Sequence, residues 1–107
     1  MQITVRVFDI VGRGVGVFAN DGQRVYDRIA PLLKKEQPVV LSFEQMETMN
    51  ATFFNAAIGQ LYRKYSAEWI RELLSVRDME ADDQETLKRV VDSAKRYYSN
   101  PKAIDEE

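Results

Sequence analysis

The sequence predicts an α/β fold in one domain, and three observations lead there. A mostly apolar, partly β-branched run, Val39-Val40-Leu41-Ser42-Phe43, sits mid-chain after Pro38 and suits a strand covered on both faces. Amphipathic helical stripes flank it on either side. The patterns alternate along the chain as strand, strand, helix, strand, helix, strand, helix, an order in which right-handed crossovers make the later strands parallel. The expectation is a mixed sheet of about four strands with three or more helices, opened by an N-terminal β-hairpin.

Each element has its own signal. Ile3, Val5 and Val7 alternate with Thr4, Arg6 and Phe8, a strand pattern, and Gly12-Arg13-Gly14 can turn the chain into a second short strand around Val15-Gly16-Val17-Phe18, giving the hairpin. Asn20-Asp21-Gly22 reads as a turn or cap, after which Val25, Ile29, Leu32 and Leu33 share a helical face that Pro31 should kink or divide. After the central strand, Asn50 or Thr48 offers an oxygen to cap the next helix. That helix has the clearest stripe, Phe54, Ala57, Ile58, Leu61 and Tyr65, with Asn55, Gln60, Arg63 and Lys64 facing elsewhere. Ser66 to Glu72 can form a helical turn, and Leu73-Leu74-Ser75-Val76 reads as another strand. Asp82 to Glu85 has capping-box spacing ahead of Leu87, Val90, Val91, Ala94 and Tyr97, the third helix, which Pro101 stops. Val40, Leu41, Phe54, Ile58, Leu61, Val90 and Val91 should share one core. The domain is expected over 1–100, with a polar tail over 101–107.

Composition narrows the chemistry. The 107 residues, 45% hydrophobic and 30% charged, suffice for a single core. With no histidine or cysteine, disulfides, cysteine or histidine nucleophiles and the usual zinc sites are excluded. No cofactor, metal site or catalytic set is expected, so the chain reads as a non-enzyme. The net charge of −2 gives no general attraction to nucleic acid or an anionic membrane. Residues 1–35 carry +3, from six Arg/Lys against three Asp, and the remainder −5, an asymmetry that reads as solvated surface. No leader pattern opens the chain and no segment approaches the ~20 apolar residues of a membrane span. A cytoplasmic location is expected.

The strand Val39–Phe43, the helix opening Thr52-Phe53-Phe54-Asn55, Gly59-Gln60-Leu61-Tyr62 and the closing Leu87-Lys88-Arg89-Val90-Val91 with Ala94-Lys95 together resemble a STAS-like family of unknown function. The family consists of small bacterial and phage-borne proteins, and the resemblance covers most of residues 3 to 98. It is similar in turn to the STAS domains of anti-sigma-factor antagonists, whose switch is a phosphorylatable hydroxyl at the start of the helix after the central strand. The resemblance implies a regulatory protein-interaction module, partnering a GHKL-type ATPase or histidine-kinase-like protein, with Thr52 as the candidate phosphoacceptor. It departs from the antagonist pattern in having Ser42 where their strand ends in aspartate, and Asn50-Ala51-Thr52-Phe53 where they carry Asp-Ser-Ser-Gly. A phosphate on Thr52 would be favoured by the free N–H groups of a helix start. The expected partner-binding set is Ser42, Glu44, Thr48, Asn50, Thr52 and Asn55, for another protein or a second copy in a homodimer.

Other features have competing readings. Gly12-Arg13-Gly14-Val15-Gly16 lacks the lysine-serine ending and strand-to-helix setting of a phosphate-binding loop, and reads as a hairpin turn. Asp78, Glu80, Asp82 and Asp83 do not have calcium-loop spacing and suit a helix start. Tyr62, Tyr65, Trp69, Tyr97 and Tyr98 could stack bases beside Arg63, Lys64, Arg71, Lys95 and Arg96, but also fit core and rim packing. A nucleic-acid-binding accessory protein and a small carboxylate-dependent enzyme are therefore the two alternatives to the interaction module. Steep weakening by salt would mark the first of them.

Overall fold

The computed structural model describes residues 1–99; the expected tail over 101–107 lies outside the described residues. Three strands, β1 (Ile3–Arg6), β3 (Val39–Ser42) and β5 (Leu74–Arg77), form a sheet in the order β1-β3-β5, and both pairings are parallel. All four residues of β3 are buried, as suits a mostly apolar run at the centre of a parallel sheet. A second sheet consists of β2 (Val15–Gly16) and β4 (Thr48–Met49), also parallel. The expected mixed sheet of about four strands is thus two parallel sheets of three and two strands.

The N-terminal hairpin does not form. Between β1 and β2 the chain makes a short helix, α1 (Val7–Val11), closed by Gly12 at φ 86°, a left-handed conformation that glycine reaches without the Cβ penalty. β1 pairs with β3 and β2 with β4, so the two strands take partners far along the chain instead of each other.

The first long helix, α2 (Ala19–Lys34), starts before the expected cap, and Asp21 and Gly22 are buried in its first turns. Arg13 reaches Asp21 at 3.1 Å and Arg24 approaches it at 4.0 Å, which compensates the buried carboxylate. Pro31 stands in the thirteenth of sixteen positions without dividing the helix. It forgoes one bond to the preceding turn, and only near the helix end. The helix α3 (Ala51–Ala57) is shorter than its apolar stripe suggests. The chain continues as a 3-10 helix over Gly59–Arg63, yet Phe54, Ala57, Ile58 and Leu61 are still buried. α4 (Ala67–Leu73) is capped by the Ser66 hydroxyl, which accepts from the Trp69 N–H at 3.1 Å. α5 (Ala81–Ser99) begins one residue before the expected capping box, placing Asp82 and Asp83 inside its first turn. Asp83 is raised above the usual carboxylate value by burial and then by the charges of Glu80 and Asp82.

The core joins the sheet to α2 and α3: Val25, Ile29, Leu33, Leu41, Phe43, Phe53, Phe54 and Leu61 are all at most 1% exposed. Val40, expected in the same core, is buried outside that cluster, and Val90 and Val91 pack against it only half-buried. No described helix is long and apolar enough to cross a membrane.

Candidate functional site

The connection from β3 to α3 shapes the site. The last residue of β3, Ser42, is 2% exposed and donates its hydroxyl to Asp78 Oδ2 at 2.7 Å. The place where the antagonist strand carries aspartate is therefore filled by a serine bonded to an aspartate from the end of the neighbouring strand. Asp78 holds a positive φ of 62°, as does Gln45 at 71° in the turn after β3. Arg6, at the end of β1, bonds Gln45 and Asp9 and approaches Glu44 at 3.8 Å. These contacts tie the C-terminal ends of all three strands together.

The chain then enters β4, where the Glu47 and Thr48 N–H groups both donate to the Gly14 carbonyl, at 2.7 and 3.1 Å. Gly16 in the partner strand lies so close to the Phe53 ring that a Cβ would meet it at 2.8 Å. The glycines of the 12–16 segment thus serve a helix end and a close packing contact, which accounts for them without a phosphate.

Asn50 caps α3 with both ends of its amide. Its Oδ1 accepts from the Phe53 N–H at 3.0 Å, and its Nδ2 donates to the Val17 carbonyl at 3.1 Å. One side chain therefore satisfies a free helix donor and clips the residue after β2 to the start of the helix. Thr52 comes next, exposed, in the first turn of α3, and Asn55, also exposed, stands one turn on.

Thr52 and Asn55 form one wall of a shallow groove of about 410 Å³, and Thr86, Arg89, Val90 and Ser93 of α5 form the other. The groove holds three hydroxyls, an amide and one guanidinium. Arg89 is engaged at the surface, with Glu85 one helical turn earlier at 3.3 Å. Such a lining exchanges hydrogen bonds and can neutralise an anion. Among the described residues no group of three acidic or other metal-ligating side chains could hold a metal ion.

The six expected partner-binding residues therefore separate. Thr52 and Asn55 share the groove, Asn50 supports them as the cap, Thr48 and Glu44 are exposed in the preceding connection and do not line the groove, and Ser42 presents almost no surface. Sequence reasoning missed Thr86, Arg89 and Ser93. Their three- and four-residue spacing marks a polar helix face, but nothing local says that this face adjoins α3.

The model of a family described as a STAS-like domain of unknown function (DUF4325) matches residues 21–84, and the chain belongs to that family. The match runs from α2 to the first turn of α5 and includes the whole β3–α3 connection. No curated protein and no solved structure matches.

Proposed function

We propose that this STAS-like chain is a regulatory, non-enzymatic protein-interaction module that docks through the groove between α3 and α5, with Thr52 as a phosphorylation switch. The observation that carries the reading is the position of Thr52: exposed in the first turn of the helix after the central strand, with Arg89 on the facing wall. A buried hydroxyl there could neither accept a phosphate nor be read by a partner. A phosphate would add about −1.5 to −2 charge between Arg89 and the α3 start, strengthening contacts within the chain while repelling an acidic or apolar partner surface. The partner class that fits the family resemblance is a GHKL-type ATPase or histidine-kinase-like protein.

The test is binding of wild type, Thr52→Ala and Thr52→Glu to such an ATPase, with mass spectrometry after incubation with ATP. The switch predicts phosphate on Thr52, binding by wild type and Thr52→Ala, and weaker binding by Thr52→Glu. No phosphate together with equal binding by all three rejects the switch and leaves a constitutive adaptor. No binding by any of them rejects the partner class.

A further inference from the structure

The α5 helix presents a second lining face. Thr86, Arg89 and Ser93 look toward α3, whereas Leu87, Val91 and Lys95, each four residues apart, line the opposite side. Along that side three hollows of about 720, 330 and 440 Å³ succeed one another from the start of α5 to Tyr98. Neighbouring hollows share lining residues, Val76, Leu87 and Val91 at one junction and Tyr62, Ala67 and Lys95 at the other, so they form one continuous groove. The facing wall includes β5, which lies at the edge of its sheet. Val76 there is 40% exposed, and among the described residues no strand pairs with the outer side of β5.

The charge of this groove opposes that of the chain. Six cations, Arg63, Lys64, Arg71, Arg77, Lys88 and Lys95, line it against three carboxylates, Glu68, Asp78 and Glu80, whereas the whole chain carries −2. Among the described residues, only Arg77 forms an ion pair with one of those carboxylates, Asp78 at 3.9 Å. Arg77 and Lys88 stand at one end and Arg63 and Lys64 at the other, while the central hollow is lined by Ile70, Leu74, Val76, Leu87 and Val91 with Arg71 and Lys95 at its rim.

We propose that this groove docks an acidic, extended polypeptide segment of a partner protein, with an aliphatic side chain between its carboxylates. The aliphatic group seats in the central hollow against Val76, Leu87 and Val91. Acidic residues on one side of it reach Lys88, those on the other reach Lys95 and Lys64, and the segment's backbone meets the free edge of β5. This site is separate from the Thr52 groove and does not rest on the switch. Burial raises the Tyr62 hydroxyl above its ordinary value, with Arg71 opposing and Asp92 adding to the shift, so it keeps its proton at neutral pH and can donate to a carboxylate. Single-stranded nucleic acid fits less well. Its evenly repeated charge leaves the apolar centre unused, and Tyr65 and Trp69 already stack on each other, 4.1 Å apart and 17° from parallel.

The test is fluorescence anisotropy of the full chain with a labelled peptide, Glu-Asp-Glu-Leu-Glu-Asp-Glu, at low salt. Saturable binding is expected, weakened at least tenfold by Lys95→Glu and by Lys88→Glu. The charge-matched control Arg28→Glu, on α2, should leave it within twofold. Circular dichroism checks that each variant is folded. Absence of binding, or equal weakening by Arg28→Glu, overturns the site. Undiminished binding of the peptide with leucine replaced by serine overturns the apolar seat. Displacement of the peptide by a ten-nucleotide oligothymidine that binds more tightly overturns the proposal in favour of nucleic acid.

Discussion

The two helices that flank α3 meet it in opposite ways. On the α2 side the backbones nearly touch: a Cβ on Gly22 would lie 2.4 Å from the Phe53 carbonyl oxygen and 2.8 Å from the Ala56 Cβ, and Val25, Ile29 and Leu33 are fully buried. On the α5 side Val90 and Val91 are half-buried, and a hollow opens along each flank of the helix. The first contact leaves no room for a ligand and little tolerance for change. The second leaves side chains that a partner can still desolvate. A small domain needs both, a rigid side to hold the fold and an incompletely packed side on which function can sit.

The largest expected effect falls in the closed core. Phe54 packs edge-on against Phe43 and Phe53, with centroids 6.1 and 5.7 Å away, and Phe54→Ala should cost about 3–5 kcal/mol in urea unfolding. Val90→Ala, half-buried on the loose side, should cost only about 1 kcal/mol. Equal costs would erase the contrast between the closed core and the loosely packed α5 side. Gly22→Ala comes next, at about 1–3 kcal/mol, because the added methyl meets backbone that cannot turn away. A neutral result in the same unfolding experiment would mean that α2 and α3 separate easily. Asn50→Ala should cost about 0.5–2 kcal/mol, since it removes both the α3 cap and the tie to Val17.

The central strands and the α3 cap are the more legible parts of the sequence. A mostly apolar β3, an asparagine before an amphipathic run and a strand around Ser75 each rest on local pattern, and each stands at its expected place. The N-terminus misleads because Val7-Phe8-Asp9-Ile10-Val11 is rich in β-branched residues, and the local pattern continues a strand where the chain makes a helical turn. The partners of β1 and β2 lie in β3 and β4, far along the chain, and only tertiary pairing selects them. The apolar stripe through Tyr65 picks out the right residues but suggests one helix, because α and 3-10 turns both repeat every three to four residues. Of the candidate groove, the α3 wall with Thr52 is legible from the capping signal. The α5 wall with Arg89 is not, because periodicity shows that a face is polar without showing what it faces.

The smallest expected effect concerns the start of α5. The Asp83 carboxyl is raised in the folded chain, so the fold disfavours its charged form. Its contribution is therefore most favourable at acid pH, below the unfolded value, and is lost as pH rises through the folded value. Asp83→Asn should raise the melting temperature slightly at neutral pH and lose that advantage in acid, and thermal melts across pH would read this directly. A constant difference across pH would place the effect in packing instead of charge.

On the proposed function, a partner reads the loosely packed α3–α5 face while α2 serves as frame. Hydrogen–deuterium exchange of the full chain, with and without a bound GHKL-type ATPase, tests it most directly. Slowed exchange in 51–57 and 86–93, with 19–34 unchanged, is expected. Protection confined to 19–34, with 51–57 exchanging as in the free chain, would contradict it.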